Sequence, residues 1–212
     1  DHGASFDLCM EAIRLGFTSV MYDASSKSYE ENLNETKEIV KIAHAVGVSV
    51  EAELGHVFTS AIGGGEGRGP VDLSDYNSED DCYTNPEQAK HFVENTGVDA
   101  LAISFGTTHG VYLKEPVLDL NRISMIKEKI DIPFVMHGGS GVSDEDFQTA
   151  IHNGIAKINY YTYMSMAGGK AAKDFIDSQK SKDHIFFHDI SLSSIEGMKE
   201  NVRHAMRVFN NK

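Results

Sequence analysis

The chain has 212 residues, 41% of them apolar, with 19 Lys and Arg against 32 Asp and Glu, a formal charge of -13, and two cysteines. An acidic chain with no basic cluster longer than two residues does not coat a phosphate backbone, and no apolar run approaches the roughly 18 residues of a membrane helix, so neither nucleic acid nor membrane is an expected partner. Cys9 and Cys82 are too few for a disulfide framework and read as reduced thiols of a cytoplasmic protein; the opening "DHGASFDLCM" has neither a basic nor a long apolar segment, so nothing marks secretion unless an upstream segment is missing, and it begins on two chemically loaded residues, Asp1 and His2.

Taken in chain order, short β-branched and apolar runs alternate with amphipathic stretches, the pattern of βα units around a parallel sheet. The run "FTSVMYD" (17–23) predicts a first strand. A helix follows over 29–47, where Leu33, Thr36, Val40, Ala43 and Val46 recur at three- and four-residue steps and Gly47 offers a stop. "VSVEAEL" (48–54) is the second strand. Residues 55–85 form a long connection, with Glu66 in "GGGEGRG" on a backbone able to swing over a site, and an acidic run at 75–81 that reads as solvated surface. Asn85-Pro86 begins the next helix and Gly97 ends it.

"VDALAISF" (98–105) is the third strand, and Ile123, Ile126 and Ile130 mark a helix over 121–130. "IPFVMH" (132–137) is the fourth strand, followed by a helix bracketed by Ser143 and Gly154. "IAKINYY" (155–161) is the fifth, and helices over 165–178 and 193–209 complete the chain. The expectation is a single domain over 1–212 with a mobile Gly-rich loop near 55–85.

Each strand ends at, or soon precedes, a chemically capable group: Asp23, Glu53, His109, His137 and Asn159. In a parallel α/β sheet or barrel such positions share the rim where ligands bind. Any one of them is more simply the place where polar residues begin; five in succession point to a site. "HGGSG" (137–141) puts glycines between a strand and a helix start, where backbone N–H groups approach an anion, and "KINYYT" (157–162) lies beside it in a barrel. His2, His109 and His137, with one open position, would make a catalytic zinc site, although their long spacing is weak support by itself. His44, His91, His152 and His204 fall in helix patterns facing solvent, His56 and His184 in loops, and His188 in a turn.

"DHGAS", "YDAS", "VSVEAELG", "GTTHG", "HGGSG" and "KINYYT" together resemble, in order and over nearly the whole chain, the motifs of class II, zinc-dependent ketose-bisphosphate aldolases of the fructose- and tagatose-bisphosphate group. The resemblance implies a (β/α)8 TIM barrel and reversible cleavage of fructose 1,6- or tagatose 1,6-bisphosphate to dihydroxyacetone phosphate and glyceraldehyde 3-phosphate. It implies Zn²⁺ on His2, His109 and His137, with Asp1 as the acid-base residue. Gly110, Gly138, Gly139, Ser140, Asn159, Tyr160, Tyr161 and Thr162 would hold the phosphorylated product. Asp23 and Glu53 match positions of an alternative metal site or of groups ordering the zinc ligands, and Glu66 matches a loop glutamate that moves the carbon-bound proton. A monovalent cation and a homo-oligomer, dimer or tetramer, fit the same resemblance.

The chain departs from that pattern in places. Tyr161 stands where many relatives have Asp or Ala, the loop around Glu66 lacks paired acidic residues, and Arg203 reads more readily as an exposed helix residue than as a second phosphate contact. The alternative from another class is a non-catalytic phosphate- or metal-binding barrel subunit. A metal-dependent hydrolase on the same fold would want further carboxylate or modified-lysine ligands. Because a TIM barrel takes about 250 residues and five strands are legible here, the chain is expected to lack roughly the first three, continuing upstream of Asp1 in the intact polypeptide.

Overall fold

The computed structural model describes residues 1–63, 77–78, 81–179 and 184–210; Glu66 and most of the acidic run lie outside the described residues. The chain runs α1 (Phe6–Arg14), β1 (Ser19–Tyr22), α2 (Tyr29–Ala45), β2 (Ser49–Leu54), β3 (Phe58–Thr59), α3 (Pro86–Thr96) and β4 (Ala100–Ile103). It continues through β5 (Thr108–His109), α4 (Leu120–Lys127), β6 (Phe134–Met136), α5 (Asp144–Asn153), β7 (Ile155–Ile158), α6 (Thr162–Ser178) and α7 (Phe187–Phe209). Five strands form one sheet in the order β1-β2-β4-β6-β7, every neighbouring pair parallel, while β3 and β5 pair in a small second sheet. This is the strand-helix alternation of the TIM-barrel architecture. Among the described residues, no helix is long and apolar enough to cross a membrane.

Local chemistry accounts for where the helices begin. Ser28 caps α2 in a full capping box, its hydroxyl accepting from the Glu31 N–H while the Glu31 carboxylate accepts from the Ser28 N–H. The Asn85 side chain accepts from Glu87 and Gln88 N–H with Pro86 at the first helical position, and Ser143 accepts from Asp146 N–H. These starts coincide with the sequence expectation.

Three helices differ from expectation, besides the short strands β3 and β5. Residues 6–14, where no element was expected, form α1: Ser5 caps it through the Leu8 N–H and Cys9 is buried beneath it. Helix α6 starts at Thr162, directly after β7, and α7 starts at Phe187 with His188 on its exposed first turn instead of in a turn. Both early starts lack a side-chain cap, so no cap residue marks them. α6 and α7 pack on each other so closely that a Cβ at Gly197 would lie 2.6 Å from the Ala171 Cβ.

The sheet separates two chemistries by the two-residue period of its strands. Val20 and Tyr22, Val50 and Ala52, Leu101 and Ile103, and Phe134 and Met136 join Leu33, Ile39, Phe92, Ile123 and Phe147 of the helices in one apolar core. The alternate residues face away from that layer. They include Met21, Glu51, Glu53, Ala102 and Val135, joined by Lys157, which pairs with Val135 after a one-residue register shift that leaves Ile155 in the core, and the series continues past the strand ends as Asp23, His137 and Asn159.

Candidate active site and metal centre

The chain carries its chemistry at the C-terminal ends of the parallel strands. Residues 1–3 lie along the edge of β1: Gly3 donates to Met21 O at 3.0 Å, and the Gly3 carbonyl accepts from Asp23 N–H at 3.1 Å. That anchors His2 over the rim with φ 47, a left-handed conformation that costs a β-carbon-bearing residue about 1–3 kcal/mol. His109 is held differently. Its strand β5 pairs with β3, and Ser60 N–H donates to His109 O at 2.9 Å. His137 follows β6 directly and is wholly buried.

The three imidazoles converge. Ring centroids are 5.1 Å apart for His2 and His109, 4.4 Å for His2 and His137, and 5.6 Å for His109 and His137. A ligand nitrogen from each lies within 4.8 Å of the others, and His2, Asp23 and Glu53 form a second such group.

Carboxylates surround the histidines. Asp23 Oδ2 is 2.7 Å from His2 Nδ1, and Ser25 Oγ bridges Asp23 Oδ1 at 2.7 Å and Glu53 Oε1 at 2.8 Å. Glu51 Oε1 is 3.0 Å from His137 Nε2, Glu53 Oε2 is 3.1 Å from His137 Nδ1, and Lys157 Nζ is 2.6 Å from Glu51 Oε2. Burial opposes charge on His137, yet hydrogen bonds and Coulomb attraction from Glu51 and Glu53 push its pKa up to about 9. Burial likewise raises Glu51 and Glu53, but their hydrogen bonds to cationic neighbours win, and both carboxyls end below the ordinary range. Three imidazoles gathered among buried carboxylates fit a divalent cation of the zinc type, which takes neutral imidazole nitrogens in a four-coordinate shell.

Beside this centre is a cavity of about 220 Å³, open to solvent. Asp1, His2, His109 and Asn159 line it, and Asn159 Nδ2 donates to Asp1 Oδ1 at 2.9 Å. Gly110, Gly138, Gly139, Ser140, Tyr161 and Thr162 line it too. Gly138 has φ 63, and a Cβ there would lie 2.6 Å from the Thr108 carbonyl carbon, so only glycine lets the two histidine-bearing loops touch. The Tyr161 N–H donates to Ser140 Oγ at 3.3 Å, and α6 opens on the cavity at Thr162 without a side-chain cap.

One expected contact is not there. Tyr160 turns toward the helices, its hydroxyl donating to Asn201 Oδ1 at 3.0 Å and its ring against Phe209, as the alternation from Asn159 requires. Arg203 pairs with Glu200 on exposed α7. Conversely, Glu51, Lys157, Ser25 and Gly63 belong to the site or its surroundings beyond the residues expected from sequence. Glu51 and Lys157 each stand two residues before an expected one, Glu53 and Asn159, and that two-residue step is the one sequence signal that points to them.

Residues 1–212 match the family model described as fructose-bisphosphate aldolase class-II. A protein of Staphylococcus aureus (strain Mu50 / ATCC 700699) named fructose-bisphosphate aldolase is 43% identical over 180 residues, 85% of this chain and 59% of its own length. This chain therefore spans about three-fifths of that relative. The uncharacterized protein YdjI of Escherichia coli (strain K12) is 39% identical over 209 residues, covering 99% of this chain and 69% of its own. The crystal structure of the YdjI aldolase superposes with a TM-score of 0.79 at 34% identity, covering 99% of this chain and 67% of that one. Fructose-bisphosphate aldolase of Campylobacter jejuni superposes at 0.73 with 26% identity, covering 99% and 69%. The chain belongs to the class-II fructose-bisphosphate aldolase family.

Proposed function

We propose that the protein catalyses reversible aldol cleavage of a ketose bisphosphate, fructose 1,6- or tagatose 1,6-bisphosphate, to dihydroxyacetone phosphate and glyceraldehyde 3-phosphate, with zinc held by His2, His109 and His137. The observation that carries this is the convergence of an acid, Asp1, and of His2, His109 and His137 on a cavity also lined by Gly110, Gly138 and Gly139. When bound, zinc supplies a Lewis acid that polarises the ketone and offsets the negative charge developing as the carbon–carbon bond breaks.

The chain's own groups do the rest. Asp1, more than half exposed and held by Asn159, accepts the proton of the substrate hydroxyl in cleavage and returns it in condensation. The glycine loops and the uncapped start of α6 offer N–H groups to a phosphate, so a chain of charge -13 binds an anion through local donors. Asp23 and Glu53 orient His2 and His137 or receive the metal in a second position. Glu66, outside the described residues, is the proposed carrier of the carbon-bound proton. A cytoplasmic location, a homo-oligomer and a monovalent cation belong to the same reading.

The test is cleavage of fructose and tagatose bisphosphates before and after chelation. Metal removal is expected to cost several kcal/mol of transition-state stabilisation, about three orders of magnitude in rate, restored by added zinc. Cleavage indifferent to the chelator would refute the zinc mechanism. A zinc-loaded chain that binds phosphate but cleaves neither sugar would instead mark a non-catalytic binding barrel.

A further inference from the structure

We propose that Glu51 and Lys157 are a positioning pair for the metal centre: Glu51 fixes the ring and tautomer of His137, and Lys157, reaching across the interior from β7, fixes Glu51. This rests on the metal reading above and adds two residues to it.

The inference starts from the proton count of an imidazole. A neutral ring has one N–H and one lone pair, yet His137 has a carboxylate at each nitrogen. The two contacts are not equivalent. Nε2 is 3.0 Å from Glu51 Oε1 and Nδ1 is 3.1 Å from Glu53 Oε2, and it is Glu53 that groups with His2 and Asp23 around a candidate metal position. When a cation takes Nδ1, the one proton left on the ring sits on Nε2, where Glu51 holds it, and the Glu53 carboxylate then lies beside the cation. Glu51 thus decides which nitrogen is offered to the metal.

Glu51 itself needs holding. It is 6% exposed, and a buried carboxylate with a single partner can turn away from it. Its second oxygen is 2.6 Å from Lys157 Nζ. Strands β2 and β7 are separated in the sheet by β4 and β6, so this bond spans the concave interior and is not a contact between neighbouring strands. Both residues lie on the interior-facing register of their strands, two places before Glu53 and Asn159. The pair therefore joins the strand that carries Glu53 to the strand that leads into the cavity.

The experiment compares Glu51→Gln, Glu51→Asp and Lys157→Met with the unaltered full chain. Three quantities are read: the zinc dissociation constant by competition with a chromophoric chelator, the ¹⁵N resonances of the His137 ring in zinc-loaded protein, and the metal-free thermal midpoint. Glu51→Gln is expected to weaken zinc binding about 10- to 100-fold and to move the His137 proton, because the new amide can donate to Nε2. Lys157→Met should weaken it by less than about tenfold, and Glu51→Asp should recover part of the loss. Wild-type affinity with an unchanged His137 tautomer in Glu51→Gln overturns the proposal, as does a lowered midpoint with affinity intact, the mark of a merely structural pair. If Glu51→Gln does not fold, Lys157→Met, at a side chain 49% exposed, decides the matter on the same readouts. Should the unaltered chain bind no zinc, the metal reading itself falls; zinc binding indifferent to both residues sinks the positioning pair alone.

Discussion

The two faces of the five-stranded sheet are made by alternate residues of the same strands yet hold opposite chemistry. Val50, Leu101 and Phe134 meet the helices in an apolar layer, and burying such side chains contributes roughly 1.5–3 kcal/mol each. Glu51, Glu53 and His137, one residue out of phase, bury ionisable groups that cost free energy unless each finds a partner. They do find partners, in one another, in Ser25 and in Lys157. A sheet selected for stability alone would put apolar residues on both faces. The inner face departs from that toward the C-terminal ends, where it converges on the cavity, so the stability of this fold and its proposed chemistry are carried by different residues of the same strands.

The largest expected effect falls on the inner side. Asp1→Asn keeps the size of the side chain and its bond from Asn159 but removes the base, and is expected to lower kcat for ketose bisphosphate cleavage about 10²- to 10⁴-fold while leaving zinc affinity unchanged. Steady-state kinetics beside chelator competition read both. Zinc lost together with activity would move Asp1 from proton transfer into the metal shell, which its proximity to Glu51 and His137 makes a fair challenge.

The outer face should answer in the opposite way. Phe134 is fully buried against the helices, with Lys127 Nζ 5.8 Å from its ring centroid, and Phe134→Ala leaves a cavity there. The expected loss is about 3–5 kcal/mol of unfolding free energy in urea, with the folded fraction keeping its zinc affinity and kcat. Should kcat fall in the protein that remains folded, the two faces are mechanically coupled and their separation breaks down.

Much of the fold is legible in the amino-acid sequence because its signals are local. Asn85, Pro86 and Ser143 announce helix starts through groups within three residues, and the five main strands stand out as β-branched runs. The convergence of His2, His109 and His137 is reached through motif order, though not through spacing, since His2 meets partners more than 100 residues away in sequence. What the sequence hides is of two kinds. Strands β3 and β5 are too short to show a period, and α6 and α7 begin without caps. Glu51 and Lys157 sit inside their strands, where no turn or glycine marks a polar residue as part of a site. The same two-residue step that sends Tyr160 outward to Asn201 sends Glu51 inward to His137.

The smallest effect is expected where the division between faces ought to blur, in the loops just above the sheet. Tyr112 is half-buried, its hydroxyl accepting from Thr108 N–H at 2.9 Å and donating to Gly138 O at 2.8 Å, so one group ties the residue before His109 to the residue after His137. Tyr112→Phe leaves both backbone groups without that partner, at a cost of about 1–3 kcal/mol in urea unfolding. Zinc affinity should fall as well, because two imidazoles lose a common anchor. Burial holds the Tyr112 pKa above its ordinary value of 10.0, so the folded protein keeps this proton at pH values where the unfolded chain has released it. Stability from this group therefore declines as pH rises above 10, and the Phe variant should lack that part of the decline. A variant as stable and as tight for zinc as the parent would show that the two loops are held by the backbone packing of Gly138 on Thr108 alone.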